Sequence, residues 1–171
     1  MSAYRRVFVE GHAYFITMVT YCRRPLLCEH ISLFKDALKH SKQFFCYTID
    51  AIAVLPDHVH MIIIPERVEE YPKIIRSIKT YFSKNFPNDV QKTVIQNKRR
   101  EAGIWQRRYY EHTIRNDMEM QRYRDYIHYN PVKHGLSKLA YEWQYSSFQK
   151  FVLSGMYEKG WYSMDEEMEI E

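Results

Sequence analysis

Two histidines separated by one apolar residue are the clearest chemical feature of this sequence. His58, Val59 and His60 begin an apolar run that continues to Ile64, as is typical of a buried strand. Because successive side chains of a strand point to opposite faces, His58 and His60 share one face, with Cα atoms roughly 6–7 Å apart. A strand does not need two imidazoles at this spacing for packing. The spacing therefore indicates a metal site, and histidines hydrogen-bonded within the core are the alternative.

A tyrosine and an asparagine form a second candidate site further along the chain. Tyr126 and Asn130 are four residues apart and so lie on one face of a helix, with Cβ atoms about 5–6 Å apart. Two imidazoles with one amide oxygen would suit Mg²⁺ or Mn²⁺. Two alternatives stay open at this point. Tyr129 is an alternative to Tyr126, and Asn130 could simply end the helix before Pro131.

The elements that must position these residues follow the order β-α-β-β-α-β, with a further helix after them. Strands and helices are predicted from apolar periodicity and turn residues at 13–21, 30–42, 44–54, 58–64, 72–85, 104–112 and 116–130. The order fits an α+β, ferredoxin-like domain. We expect an antiparallel sheet with helices on one face, followed by the helix that carries Tyr126 and an aromatic tail. Residues 1–150 are predicted to form the domain and 151–171 an extension.

Charge and composition narrow the class of protein. The 171 residues carry a net charge of +4, although the last seven residues hold five acids and no base. The rest of the chain is therefore more basic still, which favours a polyanionic partner. The three cysteines form no CxxC pair, and no apolar run is long enough for a signal segment or a membrane span. We expect a soluble, cytoplasmic protein with no membrane association.

These motifs together resemble those of the HUH single-tyrosine transposases, in which U is a hydrophobic residue. His58-Val59-His60 matches the HUH signature, and it occurs here with two further segments, 105–112 and 126–135. The sequence is most similar to the REP-associated tyrosine transposases, which it also resembles in 4–6 and 143–148. The resemblance covers residues 4–150.

The resemblance implies a metal-dependent endonuclease and strand transferase that cleaves single-stranded DNA near hairpins. It implies that His58, His60 and Asn130 bind a divalent ion, Mg²⁺ or Mn²⁺. It also implies that Tyr126 is the nucleophile and forms a 5′-phosphotyrosine intermediate. Members of this group act as monomers or homodimers, so both states stay open.

Basic residues near aromatic ones are the candidates for DNA contact. The candidates are Tyr4, Arg5, Arg6, Arg107 and Arg108. The first three precede the first strand, where the resemblance implies an arm that reads sequence near the hairpin. Arg107 and Arg108 combine charge with neighbouring stacking surface, although each could be an ordinary surface residue. Two other functions are considered: a catalytically silent nucleic-acid-binding module, and an HUH relaxase or replication-initiation nuclease.

Overall fold

A computed structural model of the chain describes residues 12–87 and 103–161. Within these ranges the strands and α-helices are β1 Ala13–Val19, α1 Ile31–Lys42, β2 Tyr47–Val54, β3 His58–Pro65, α2 Tyr71–Asn85, β4 Tyr110–Ile114, α3 Asp117–Lys133 and α4 Phe148–Leu153. The strands form one antiparallel sheet in the order β2-β3-β1-β4. This α+β architecture confirms the predicted fold class. No helix in the described ranges is long and apolar enough to cross a membrane.

The central strand β3 has neighbours on both edges, β2 on one side and β1 on the other. A tight turn joins it to β2, closed by the Leu55 N–H, which donates to the His58 carbonyl at 2.8 Å. Val59 and Met61 are buried in the core beneath α1 and α2. Because side chains alternate along a strand, His58 and His60 face the other side, as predicted.

Helices cover both faces of the sheet. On one face, α1 and α2 bury apolar side chains such as Phe34 and Ile78 against the sheet. On the other face, Phe15 and Ile62 pack against α3, α4 and the aromatic residues that follow. That second core includes Tyr157, so the chain beyond residue 150 contributes to it. The face bearing His58 and His60 is therefore the face covered by α3.

Two predicted strand starts are wrong. β2 begins at Tyr47 rather than at residue 44, because the N–H groups of Phe44 and Phe45 donate to the Ser41 carbonyl in the turn that closes α1. The last strand begins at Tyr110 rather than at residue 104. Trp105 makes only an isolated bridge, and local composition does not distinguish such a bridge from a ladder.

The first strand is shorter than predicted. It ends at Val19 rather than at residue 21, because the Thr20 N–H donates to the Asp57 carbonyl at 2.8 Å. Cys22 and Arg23 follow with positive φ angles, which a strand does not allow.

The N-terminus of α3 agrees with the sequence prediction. Oδ1 of Asn116 accepts a hydrogen bond from the Glu119 N–H at 2.9 Å. The Glu119 carboxylate accepts in turn from the Arg115 N–H at 2.8 Å. This carboxylate contact reaches one residue further back than in the usual capping box.

The C-terminus of α3 differs from the prediction. The helix passes through Pro131 and ends at Lys133, whereas the sequence predicts Asn130 as the last residue. Pro131 removes one helical N–H, but the end is closed by the Leu136 N–H, which donates to the Pro131 carbonyl at 2.8 Å. Gly135, with φ of 67°, allows this closure. The restriction before proline is a local preference, and here the closing hydrogen bonds and the burial of Pro131 outweigh it.

Polar contacts fix α3 onto the edge strand β2. Arg124 makes two hydrogen bonds to the Asp50 carboxylate, at 2.6 and 2.7 Å. One turn later, Nε2 of His128 lies 2.9 Å from Oγ of Ser147, whose N–H donates to the Ile52 carbonyl. Burial lowers the pKa of His128 to about 3, so this imidazole is neutral. These contacts set the rotation of α3 about its axis and hence the residues that it presents to β3.

Candidate active site

The two histidines of β3 are buried side by side. Their exposed fractions are 4% for His58 and 1% for His60, and their ring centroids are 4.7 Å apart. Nδ1 of His58 lies 2.6 Å from the Asp57 carboxylate. Nδ1 of His60 lies 2.8 Å from Oγ1 of Thr17, its register partner on β1. With both Nδ1 atoms engaged, each imidazole has Nε2 left for another partner.

The structure brings Tyr126 and Asn130 to these histidines. The Tyr126 ring lies 5.1 Å from the His60 ring, and Oδ1 of Asn130 lies 3.4 Å from Nε2 of His58. Tyr126 is 6% exposed and Asn130 is fully buried. The rival Tyr129 packs edge-on against Trp161 instead. Side chains that are about seventy residues apart in sequence therefore converge in one buried cluster.

Burial and charge set the protonation of this cluster. Burial lowers the pKa of His60 well below its ordinary value, and the nearby His58, His134 and Lys133 lower it further. His60 is therefore neutral and keeps a lone pair. Burial alone would raise the pKa of Asp57, but hydrogen bonds and charge from His58 and Arg23 hold it below its usual value. Asp57 is therefore a carboxylate.

The donor atoms fit a divalent metal ion. When His58 donates its Nδ1 proton to Asp57, its Nε2 is an acceptor that faces a second acceptor, Oδ1 of Asn130, at 3.4 Å. Neighbouring ligands of an octahedral Mg²⁺ lie about 3 Å apart. Nδ2 of Asn130 is buried with no hydrogen-bond partner in the described part of the chain. Within the described ranges no group of three or more His, Cys, Asp or Glu residues could hold an ion. An ion at this place would need the Asn130 amide oxygen as a ligand beside His58 and His60.

Four neighbouring residues have no role in the site predicted from the sequence. They are Thr17, Asp57, Lys133 and His134. The His134 ring lies 5.2 Å from the His58 ring, and Nζ of Lys133 lies 5.5 Å from the centre of the Tyr126 ring. The predicted helix end at Asn130 leaves both of these residues outside the helix, although they belong to the segment 126–135 that carries the family resemblance. Thr17 depends on strand register, which the sequence alone did not supply.

Of the predicted DNA-contact residues, the structure describes Arg107 and Arg108. Arg107 and Arg108 are exposed. Thr20 pairs with Trp105, and Thr17 pairs with Tyr110. Between these two pairs, the segment that contains Arg107 and Arg108 is two residues longer than the segment opposite it. The segment therefore bulges out of the ladder and presents both guanidinium groups to solvent. Tyr4, Arg5 and Arg6 lie outside the described residues.

Comparison with known proteins identifies the family. Residues 8–130 match the model of a family described as Transposase IS200 like. The chain belongs to the IS200-like transposases. This transposase is 39% identical over 164 residues to a REP-associated tyrosine transposase from Haemophilus influenzae, covering 94% of this chain and 93% of the relative. It is 34% identical over 163 residues to the Escherichia coli K12 REP-associated tyrosine transposase, covering 94% and 91%.

A solved structure supports the same relationship for this transposase. The structure of a REP-associated tyrosine transposase bound to a REP hairpin matches it with a TM-score of 0.79 and 32% identity. The match covers 95% of this chain and 92% of the other. These comparisons confirm the resemblance to the tyrosine transposases, which are DNA-transposing enzymes. They favour this family over a relaxase or a replication-initiation nuclease.

Proposed function

We propose that this transposase cleaves and rejoins single-stranded DNA near a hairpin, with Tyr126 as the nucleophile. In this proposal His58, His60 and Asn130 hold the divalent ion. The observation that carries the proposal is the position of the Tyr126 ring, 5.1 Å from His60, beside the facing acceptors of His58 and Asn130.

Cleavage is a transesterification at phosphorus. Oη of Tyr126 attacks the scissile phosphate, the bond from phosphorus to Oη forms, and the bond to the 3′ oxygen breaks. The phenol loses its proton to solvent and the departing 3′ oxygen gains one from water, so charge and protons balance. The products are a 5′-phosphotyrosine and a free 3′-hydroxyl. A second 3′-hydroxyl can reverse the reaction without ATP, because the covalent link retains the bond energy.

The protein orients the reacting groups. Asp57 and Thr17 fix the ring planes of His58 and His60, as hydrogen-bonded partners of metal-binding histidines commonly do. Phe15 stacks on His60 with ring centroids 5.6 Å apart and meets the Tyr126 ring edge-on at 5.8 Å. These contacts restrict the Tyr126 ring. A bound Mg²⁺ or Mn²⁺ would withdraw charge from the phosphate oxygens and make the phosphorus a better electrophile.

Hairpin DNA is the proposed substrate. The related transposase of known structure was solved with a REP hairpin, and the rest of this chain is basic once its acidic last seven residues are set aside. We propose that Arg107 and Arg108, both exposed, contact the DNA backbone, together with the segment of Tyr4, Arg5 and Arg6. The metal-binding groups and Tyr126 come from one chain, which supports a monomer as the catalytic unit.

A covalent-adduct assay tests the proposal. The protein is incubated with a single-stranded hairpin DNA labelled at its 3′ end, with Mn²⁺, and run on a denaturing gel. We expect a labelled adduct with the wild-type protein, and none with Tyr126→Phe or after addition of EDTA. Tyr129→Phe is the matched control and should form the adduct at the wild-type rate.

DNA binding and folding complete this test. Tyr126→Phe should bind the hairpin with wild-type affinity in fluorescence polarisation and keep the wild-type unfolding transition. An adduct with Tyr126→Phe, or loss of the adduct with Tyr129→Phe, contradicts the assignment of the nucleophile. Binding without any adduct by the wild-type protein would instead indicate a catalytically silent DNA-binding module.

A further inference from the structure

Three polar side chains follow one another along a single stripe of α3. Tyr126, Asn130 and Lys133 are spaced i, i+4 and i+7, which places them on one face of a helix across two turns. Tyr126 and Asn130 of this stripe contact His60 and His58. Because α3 continues through Pro131, Lys133 remains on the stripe.

The ammonium group of Lys133 lies beside the ring of Tyr126. Nζ is 5.5 Å from the centre of the Tyr126 ring, whereas the residue itself is exposed to solvent.

A purely structural role explains only part of this placement. A cation in the last turn of a helix interacts favourably with the helix macrodipole, and Lys133 lies in the last turn of α3. The macrodipole would favour a cation on any face of that turn. It does not account for a lysine on the same stripe as Tyr126 and Asn130.

The reaction creates a need for a cation at this position. A phosphodiester carries one negative charge, and attack by the tyrosine oxygen adds charge to the nonbridging oxygens in the transition state. A fixed positive group aimed at those oxygens stabilises the transition state more than the ground state.

We propose that Lys133 is a catalytic residue that binds a nonbridging oxygen of the scissile phosphate while Tyr126 attacks it. Lys133 keeps its proton throughout, and no covalent bond forms or breaks at Nζ. The inference rests on the proposed function, since it assumes that Tyr126 is the nucleophile. Lys133 is additional to the proposed metal ligands and to the proposed nucleophile.

The test compares Lys133→Gln with Lys138→Gln, a change at another exposed lysine shortly after α3. Single-turnover adduct formation is measured on hairpin DNA with Mn²⁺. We expect Lys133→Gln to slow the chemical step by about 10²–10³-fold, as when one transition-state donor is removed, while DNA affinity falls by less than about tenfold. Lys138→Gln should react at the wild-type rate. Equal rates for wild-type protein and Lys133→Gln would overturn the inference.

A neutral substrate distinguishes charge stabilisation from mere positioning of the tyrosine. A methylphosphonate at the cleavage site replaces one charged nonbridging oxygen with a methyl group. The difference between wild-type protein and Lys133→Gln should then shrink to a few-fold. A defect of the same size on both linkages would show that Lys133 acts by positioning Tyr126, and would contradict the proposal.

A second variant keeps the test decisive if the neutral linkage is not cleaved at all. Lys133→Arg retains the positive charge. On ordinary DNA it should form the adduct at least about tenfold faster than Lys133→Gln. No recovery would overturn the proposal. The urea unfolding midpoints of both variants should match that of Lys138→Gln. A wild-type protein that forms no adduct would contradict the proposed function itself, and this inference with it.

Discussion

The carboxylate of Asp57 holds Nδ1 of His58 at 2.6 Å, and its second oxygen lies 3.3 Å from Nη1 of Arg23. Arg23 follows Cys22, and both residues have positive φ angles, 50° and 55°. Non-glycine residues rarely adopt this conformation, and it costs about 1–3 kcal/mol where it occurs. A strained turn after β1 thus places the guanidinium group that fixes Asp57, and Asp57 in turn orients His58.

Replacing Asp57 should weaken metal binding more than folding. We expect Asp57→Ala to lower Mn²⁺ affinity by about 10–100-fold, because His58 loses the partner that sets its tautomer and ring orientation. Calorimetric titration of the DNA-free protein with Mn²⁺ measures this directly. Asp36→Asn removes an exposed carboxylate that pairs with Lys39 and serves as the control. Unchanged affinity in Asp57→Ala would contradict the orienting role.

The buried amide of Asn130 should reduce the stability of the metal-free protein. Its Nδ2 has no hydrogen-bond partner in the described part of the chain, and a buried unsatisfied polar group is destabilising. Asn130→Leu should therefore raise the free energy of unfolding by about 1 kcal/mol in urea without metal, and abolish Mn²⁺ binding. Asn116→Leu removes a helix cap and should lower the free energy of unfolding by about 1 kcal/mol. The same sign for both variants would be evidence against a functional role for the amide.

The ion pair between Arg124 and Asp50 can be tested by a double-mutant cycle. The two side chains are 20% and 16% exposed and make two charge-assisted hydrogen bonds, so each single change to Ala should cost about 2 kcal/mol. The exposed pair Lys39–Asp36 should cost less than about 0.5 kcal/mol. Because Arg124 fixes α3 on β2, its loss should also slow adduct formation. A coupling energy near zero from urea unfolding would show that the pair does not fix the helix.

Two glycines offer a matched test of the turn that ends α3. Gly135 has φ of 67° and open space where a Cβ atom would lie, so only backbone strain opposes a side chain there. Gly135→Ala should cost about 1 kcal/mol. Gly160 also has open space, but its φ lies outside the left-handed range, and Gly160→Ala should change thermal stability little. Equal effects of the two changes would contradict this account of the helix end.

Short-range periodicity is enough to predict the pairs within each element. A period of two residues places His58 and His60 on one face, and a helical period places Tyr126 and Asn130 together. Periodicity does not supply the partner across elements. Thr17 meets His60 only through the register between β1 and β3, which depends on many residues at once.

The two main misses have specific physical causes. Lys133 escapes the sequence prediction because the residue before a proline disfavours helix, whereas Gly135 and its closing hydrogen bonds keep α3 helical beyond Pro131. Asp57 lies in the turn between β2 and β3, and its contact with Arg23 depends on the turn that follows β1. In both cases the position of the residue depends on contacts that local sequence preferences do not include.

The position of β3 in the sheet implies that backbone amides on the two sides of the cluster exchange their hydrogens at different rates. Amides of a strand paired on both edges open only with the whole molecule, whereas a helix end can open by itself. Hydrogen exchange at His60 should therefore report global unfolding, and exchange at His134, whose N–H bonds to the Asn130 carbonyl at 3.0 Å, should be faster. We therefore expect the end of α3 to open while the strand that carries both imidazoles stays paired.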